Sequence, residues 1–287
     1  MGSSVRPLNG TIAVVTGATR GAGKGIALAL GEAGATVYVT GRSTRSGGTT
    51  MEYPGTIEET AEAVTARGGV GIPVRVDHGV ESEVEALFGR VRAEHGRLDL
   101  LVNNAWGGHD HARDIGLAPF WEMPTAAWDD MLTGGARLGL VTSRCAAPIM
   151  VAQGRGLIVG TTFWDRDLYT GNLYYDLAKA TINRLIFGMA QDLRPHGVAV
   201  LGVSPGWMRT ELVLRAFGTD EAHWREVPEL AQTETPLYVG RAVAALAVDP
   251  GAMAKTGLVL RAGDLAREYG FIDVDGRQPP PFLLDST

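Results

Sequence analysis

Seven short runs of β-forming residues, at positions 11–16, 36–40, 71–76, 98–103, 157–162, 198–203 and 257–261, punctuate this chain of 287 residues. Helix-like stretches at 22–32, 56–67, 81–95, 126–150, 174–193 and 239–248 lie between most of them. Strands joined through helices pair in parallel, because each crossover returns the chain to the same end of the sheet. The expected fold is therefore α/β, doubly wound, with a parallel seven-stranded sheet covered by helices on both faces. Ligands in such a fold bind beyond the carboxyl ends of the strands.

No repeat or low-complexity linker divides the chain, so residues 1–287 read as one domain. Stretches 43–55, 106–125 and 207–237 follow strand ends and break the rhythm, which marks them as loops that carry function, with 207–237 as a substrate lid. Residues 269–287, with Pro279-Pro280-Pro281, read as an extended tail over a neighbour or a subunit interface.

A net charge of −6 without a basic run argues against nucleic acid or an anionic membrane as partner and leaves a small molecule. Cys145 is the single cysteine, which excludes an internal disulfide framework and fits a reducing compartment. The N-terminal residues lack an apolar signal region and no apolar run reaches about 18 residues, so a cytoplasmic protein is expected.

The first strand runs directly into Gly17-Ala18-Thr19-Arg20-Gly21-Ala22-Gly23-Lys24-Gly25 and then into helix-like residues. Glycines at such a turn let the backbone approach a pyrophosphate, whose charge rests on the helix N-terminus, so Gly17, Thr19, Arg20, Gly21 and Gly23 are candidate dinucleotide contacts. A carboxylate usually ends the second strand of an NAD site, yet no Asp or Glu occurs between Glu32 and Glu52. Gly41-Arg42 stands there instead, with Arg20 nearby and Arg45 in reserve, and two guanidiniums suit a 2′-phosphate. NADP(H) is therefore expected over NAD(H), although a solvated surface arginine would look the same in sequence. Asp77 suits an adenine amino group and a helix N-cap equally well. Asn103-Asn104-Ala105 ends the fourth strand, where amides can tie strands together and Asn103 and Ala105 can meet a ribose. Pro205 and Gly206 follow the sixth strand, with Thr210 a turn further on, placed for the nicotinamide end.

Tyr175 and Lys179 carry the chemistry. Lysine is scarce, with Lys24, Lys179 and Lys255 the only three among 26 basic residues, so a Tyr-x-x-x-Lys is expected by chance only about 0.07 times. Residues four apart share a helix face, and an ammonium beside a phenol lowers its pKa toward working pH. A phenol tuned in this way can act as general acid or base.

Thr16-Gly17-x-x-x-Gly21-x-Gly23, Asn103-Asn104-Ala105, Tyr175-x-x-x-Lys179 and Pro205-Gly206-x-x-x-Thr210, in this order, resemble the short-chain dehydrogenase/reductase family. Trp128-Asp129-Asp130-Met131, Asp264 to Gly270 and Asp273 to Arg277 are similar to its dehydrogenase/reductase member 1 subgroup. The resemblance implies a single Rossmann-like domain, NAD(P)(H)-dependent alcohol oxidation or carbonyl reduction, and a homodimer or homotetramer. It further implies that Tyr175 exchanges the proton with the substrate oxygen while Lys179 binds the nicotinamide ribose. The family's substrate-binding serine falls at Thr162 or Phe163; Thr162 is assigned, with Thr161 as fallback. The family's helix asparagine aligns with Gly135, and Trp106 stands where Asn-Asn-Ala is usually followed by glycine.

Trp106, Phe163-Trp164 and Trp207 each follow a strand end, and together they would form an aromatic rim around a hydrophobic carbonyl substrate. Trp121 and Trp128 read as structural. His109-Asp110-His111 with Asp114 lacks further anchoring, so no metal is expected, and His78, His95, His196 and His223 read as surface or loop residues. The rival to an oxidoreductase is an NADP(H)-binding sensor or scaffold, favoured by the departures at Thr162 and Gly135.

Overall fold

The computed structural model describes residues 6–50, 53–108, 118–163 and 168–283. Seven strands form one sheet: β1 Ile12–Val15, β2 Thr36–Gly41, β3 Val70–Arg75, β4 Leu100–Asn103, β5 Gly156–Thr161, β6 Val198–Ser204 and β7 Val259–Arg261. Their order is β3-β2-β1-β4-β5-β6-β7 and every pairing is parallel. The order reverses at the β1/β4 boundary, which opens a crevice above those strand ends.

Alternation along the strands divides the core into two layers. Ala13, Val15, Val37 and Val39 face α1 (Gly21–Glu32) and α8 (Pro236–Val248), whose Ile26, Leu30, Val239 and Val243 are fully buried. Ile12, Val14, Leu101 and Ile158 face the other way, onto α3 (Glu81–His95), α5 (Arg137–Gln153) and α6 (Leu173–Leu193). Helices α1 and α8 touch through glycines, since a Cβ on Gly25 would lie 2.0 Å from the Pro236 carbonyl oxygen. The remaining helices are α2 (Ile57–Ala66), with a Thr56/Glu59 capping box, the short α4 (Ala126–Trp128), α7 (Glu211–Ala216) and α9 (Ala262–Tyr269).

The stretch expected as one helix over 126–150 has a different middle. Between α4 and α5 the backbone is π-helical over Asp129–Ala136, a widening that sequence periodicity does not encode. The stretch 207–237, expected as a lid, holds α7 and two 3-10 turns, Trp224–Glu226 and Pro228–Gln232.

The tail lies along its own chain. Tyr238 Oη donates to the Pro279 carbonyl at 2.9 Å, Gln278 Nε2 donates to the Ala266 carbonyl at 2.8 Å, and a Cβ on Gly263 would strike Pro281. This stretch and the tail are joined at Arg209, whose side chain is only 1% exposed. It reaches Glu221 at 3.0 Å, the Thr233 carbonyl at 3.1 Å and Asp275 at 3.2 Å, and its guanidinium lies 4.0 Å from the centre of the Trp224 ring. Among the described residues no helix is long and apolar enough to cross a membrane.

Candidate active site

The turn between β1 and α1 has the close backbone contacts its glycines imply. Gly17 and Gly21 have φ of +64° and +53°, where a side chain is strained, and a Cβ on Gly23 would sit 2.3 Å from the Gly17 carbonyl oxygen. Asn104 Nδ2 donates to the Thr16 and Gly17 carbonyls at 3.0 and 3.1 Å, while Thr16 Oγ1 accepts from the Asn104 and Ala105 amides at 2.8 and 2.9 Å. The strand ends are thus tied by Asn104, whereas Asn103 donates instead to Ser143 Oγ at 2.8 Å. Arg20 caps α1 without a side-chain hydrogen bond and no acid stands in the first turn, so the turn keeps donors for an anion. The Glu211 carboxylate accepts from the Gly21 amide at 3.0 Å, showing that a negative group fits there.

This turn forms one wall of a cleft of about 460 Å³ that also takes in Thr19, Arg42, Asp77 and Thr210. Arg20 is held within it, donating to the Thr50 carbonyl at 2.8 Å and to Ser43 Oγ at 2.9 Å. Arg45, the reserve cation, is engaged elsewhere in an exposed fork with Glu62. Asp77 does not cap α3, whose N-cap is Val80; its Oδ1 accepts from the Gly79 amide at 2.9 Å and closes a turn on the cleft wall. His78 is not a surface residue. It is buried with Nε2 2.8 Å from Thr40 Oγ1, and burial pulls its pKa down to about 4, which keeps the ring neutral. His95 stacks edge-on against Tyr38.

Helix α6 carries the expected pair. Asn172 Oδ1 caps it by accepting from the Tyr175 amide at 3.0 Å, and Lys179 follows one turn later with Nζ 5.1 Å from the Tyr175 ring centre. Lys179 and Thr161 line a smaller cavity of about 50 Å³, which shares Asn104, Ala105 and Trp106 with the cleft. Lys179 therefore sits beside the glycine-walled cleft, and Tyr175 meets the shared Trp106. Burial dominates both groups, pushing the Tyr175 phenol up to about 12 and the Lys179 ammonium down to about 8. The expected lowering of the phenol pKa by Lys179 is not found: loss of water around the phenol moves it the other way.

The two threonines after β5 face opposite ways. Thr162, the assigned serine substitute, is buried and donates to Asn183 Oδ1 at 2.8 Å, whereas Thr161 turns into the small cavity toward Asn104 Oδ1 at 3.3 Å. Strand alternation makes this inevitable for neighbouring residues. Gly206 packs against Glu234, since a Cβ there would lie 2.6 Å from Glu234 Oε2. Glu234 is itself buried, and burial raises its carboxyl pKa to about 8. Pro205 directly follows β6, and Thr210 Oγ1 caps α7 at 3.3 Å from the Val213 amide.

Among the described residues of the expected aromatic rim, Trp106 alone meets the pair, edge-on to Tyr175 with centres 6.0 Å apart. Trp207 packs on Phe217 at 5.8 Å and lines neither cavity, and Phe163 packs on Phe282 of the tail at 6.0 Å. Trp121 and Trp128, expected to be structural, are 72% and 51% exposed. Trp164 and the His109, Asp110, His111 and Asp114 group lie outside the described residues, among which no cluster could hold a metal.

Sequence reasoning missed Ser43, Thr50, Glu211 and Glu234. Glu211 follows Thr210 directly and was within reach of the motif, whereas the others depend on loop folding.

Comparison with known proteins agrees with this fold. A profile of the short chain dehydrogenase family matches residues 11–220. The human protein named dehydrogenase/reductase SDR family member 1 is 40% identical over 289 residues, covering 98% of this chain and 88% of its own. A 7α-hydroxysteroid dehydrogenase structure complexed with NADH and 7-oxo glycochenodeoxycholic acid superposes with a TM-score of 0.73 at 26% identity, covering 97% of this chain and 99% of its own. A metagenomic short-chain oxidoreductase in complex with NADP gives 0.65 at 26% identity, covering 89% and 96%. The chain thus belongs to the short-chain dehydrogenase/reductase family of nicotinamide-dependent oxidoreductases and is similar to its member 1.

Proposed function

We propose that this protein is an NADP(H)-dependent carbonyl reductase or alcohol dehydrogenase acting on a hydrophobic small molecule, with Tyr175 as general acid/base. One observation supports the reading: the loop Asn104 to Trp106 lines both the glycine-walled cleft and the cavity of Lys179, and Tyr175 packs on its Trp106. When bound, the nicotinamide supplies or accepts the hydride.

The chain's own residues do the rest. Gly17, Gly21 and Gly23 bring backbone close to the diphosphate, and Arg20 and Arg42 offer positive charge at a 2′-phosphate. Tyr175, its phenol held protonated by burial, donates to a carbonyl oxygen in the reductive direction. Lys179 keeps a positive charge near the phenolate that remains, and Thr161 is the hydroxyl best placed to orient the substrate oxygen. Trp106 lines both cavities and adds an apolar surface, which supports a hydrophobic substrate. We further propose a cytoplasmic homodimer or homotetramer.

The rival, a binding-only sensor, draws on Thr162, whose hydroxyl is committed to Asn183. NADPH consumption measured against ketones, aldehydes, quinones and steroid-like carbonyls, beside NADH, separates the two. The enzyme reading expects turnover with NADPH preferred; NADPH binding with no turnover across the panel supports the sensor.

A further inference from the structure

Lys179 has an unusual neighbour. Its Nζ lies 3.9 Å from the centre of the Trp106 ring, over the face of the indole, where the quadrupole attracts a cation. Among the described residues no carboxylate forms an ion pair with Lys179, and the other residues lining its cavity are uncharged. Among the described residues Tyr175 is the one titratable group in contact with it, and burial alone accounts for the depressed ammonium pKa. The indole face is then the main group stabilising the charged form. The same ring meets Tyr175 with its edge, at an interplanar angle of 76°.

The surroundings are shaped around this indole. A Cβ on Gly135 would lie 2.5 Å from Trp106 Cζ3, and a Cβ on Gly108 would lie 2.6 Å from Cζ2. Neither glycine has a left-handed φ, so the backbone does not require glycine at either position and the ring does. Gly135 belongs to the π-helical stretch, and the Gly107 amide fastens the Trp106 loop to it by donating to the Gly134 carbonyl at 2.8 Å. Trp106 and Gly135, two separate departures from the family pattern, thus form one packing unit.

We infer that Trp106 is the positioning residue of Lys179, holding the ammonium against the indole face at a fixed distance from Tyr175, and that Gly108 and Gly135 create its seat. This builds on the proposed role of Lys179. Its consequence is a sign: the indole favours the ammonium, so its removal lowers the Lys179 pKa further.

Because Lys24, Lys179 and Lys255 are the only lysines, ¹⁵N-lysine labelling gives three side-chain Nζ signals, with Lys179→Arg identifying one of them. Trp106→Leu is expected to lower the Lys179 pKa by about one unit and to abolish the ring-current shift of its terminal methylene. Trp106→Phe, which keeps an aromatic face, should retain most of both. Gly135→Ala should displace the ring and reproduce Trp106→Leu, and the double variant Trp106→Leu/Gly135→Ala should add little beyond either single change. Wild-type titration and shifts in Trp106→Leu, or additive effects of the two changes, would overturn the proposal. The readout needs no substrate, so failure to find turnover would count against the proposed function and leave this test intact.

Discussion

The carboxylate of Glu211, the first residue of α7, accepts a hydrogen bond from the backbone amide of Gly21, the first residue of α1, at 3.0 Å. Helix α7 thereby places a carboxylate on the helix end where a pyrophosphate is expected, and a pyrophosphate bound there would compete with it for one donor. Glu211→Gln removes the charge and should tighten NADPH binding roughly threefold to tenfold, measured by titration calorimetry. Unchanged or weaker binding would contradict this reading of the contact.

Arg42 and Arg20 approach the cleft where the second strand ends without a carboxylate. Arg42→Glu should raise the KM for NADPH by about 10-fold to 100-fold while leaving the NADH value nearly unchanged. Steady-state kinetics with both nucleotides decides the matter, and equal losses would remove the 2′-phosphate argument.

Glu234 gives a pH dependence with a definite sign. Its folded pKa of about 8 lies above the ordinary carboxyl value of 4.5, because burial and nearby Asp273 outweigh the Gly206 amide and Arg209. The folded state thus holds a proton that the unfolded chain releases above pH 4.5, and the associated stability is lost as pH rises from there through about 8. Glu234→Gln should flatten the fall in Tm between about pH 5 and about pH 8.5. A slope identical to wild type would show that another group controls it.

Arg209 is a buried cation with two carboxylate partners and the face of Trp224. Arg209→Met leaves the buried Asp275 with Arg277 as its remaining cation and should cost about 1–3 kcal/mol in denaturant unfolding, with earlier proteolysis of residues 207–237. A loss below about 1 kcal/mol would mean that this stretch and the tail hold without it.

Much of this architecture is written in local patterns. Strand β2 and the glycine turn follow from β-branched runs and glycine spacing, and Tyr175 and Lys179 share a face because four residues make about one helical turn. What escaped depends on contacts distant in sequence. The π-helical stretch reads as ordinary helix, because its widening accompanies the Trp106 ring 29 residues upstream of Gly135. Thr162 and Thr161 cannot be told apart until the end of β5 is fixed at Thr161, one residue earlier than expected. The tail showed only its prolines, whereas its path is set by Tyr238, Gln278 and Arg277.

The central claim is that Tyr175 moves the proton while the glycine turn and arginines hold the nucleotide. Tyr175→Phe removes one oxygen from a ring whose packing against Trp106 remains. Single-turnover NADPH oxidation with the best carbonyl from the screen, paired with NADPH binding to the same protein, tests the claim most directly. The account predicts binding within about twofold of wild type and hydride transfer slowed by about 10²-fold to 10⁴-fold. Full turnover by Tyr175→Phe would contradict it.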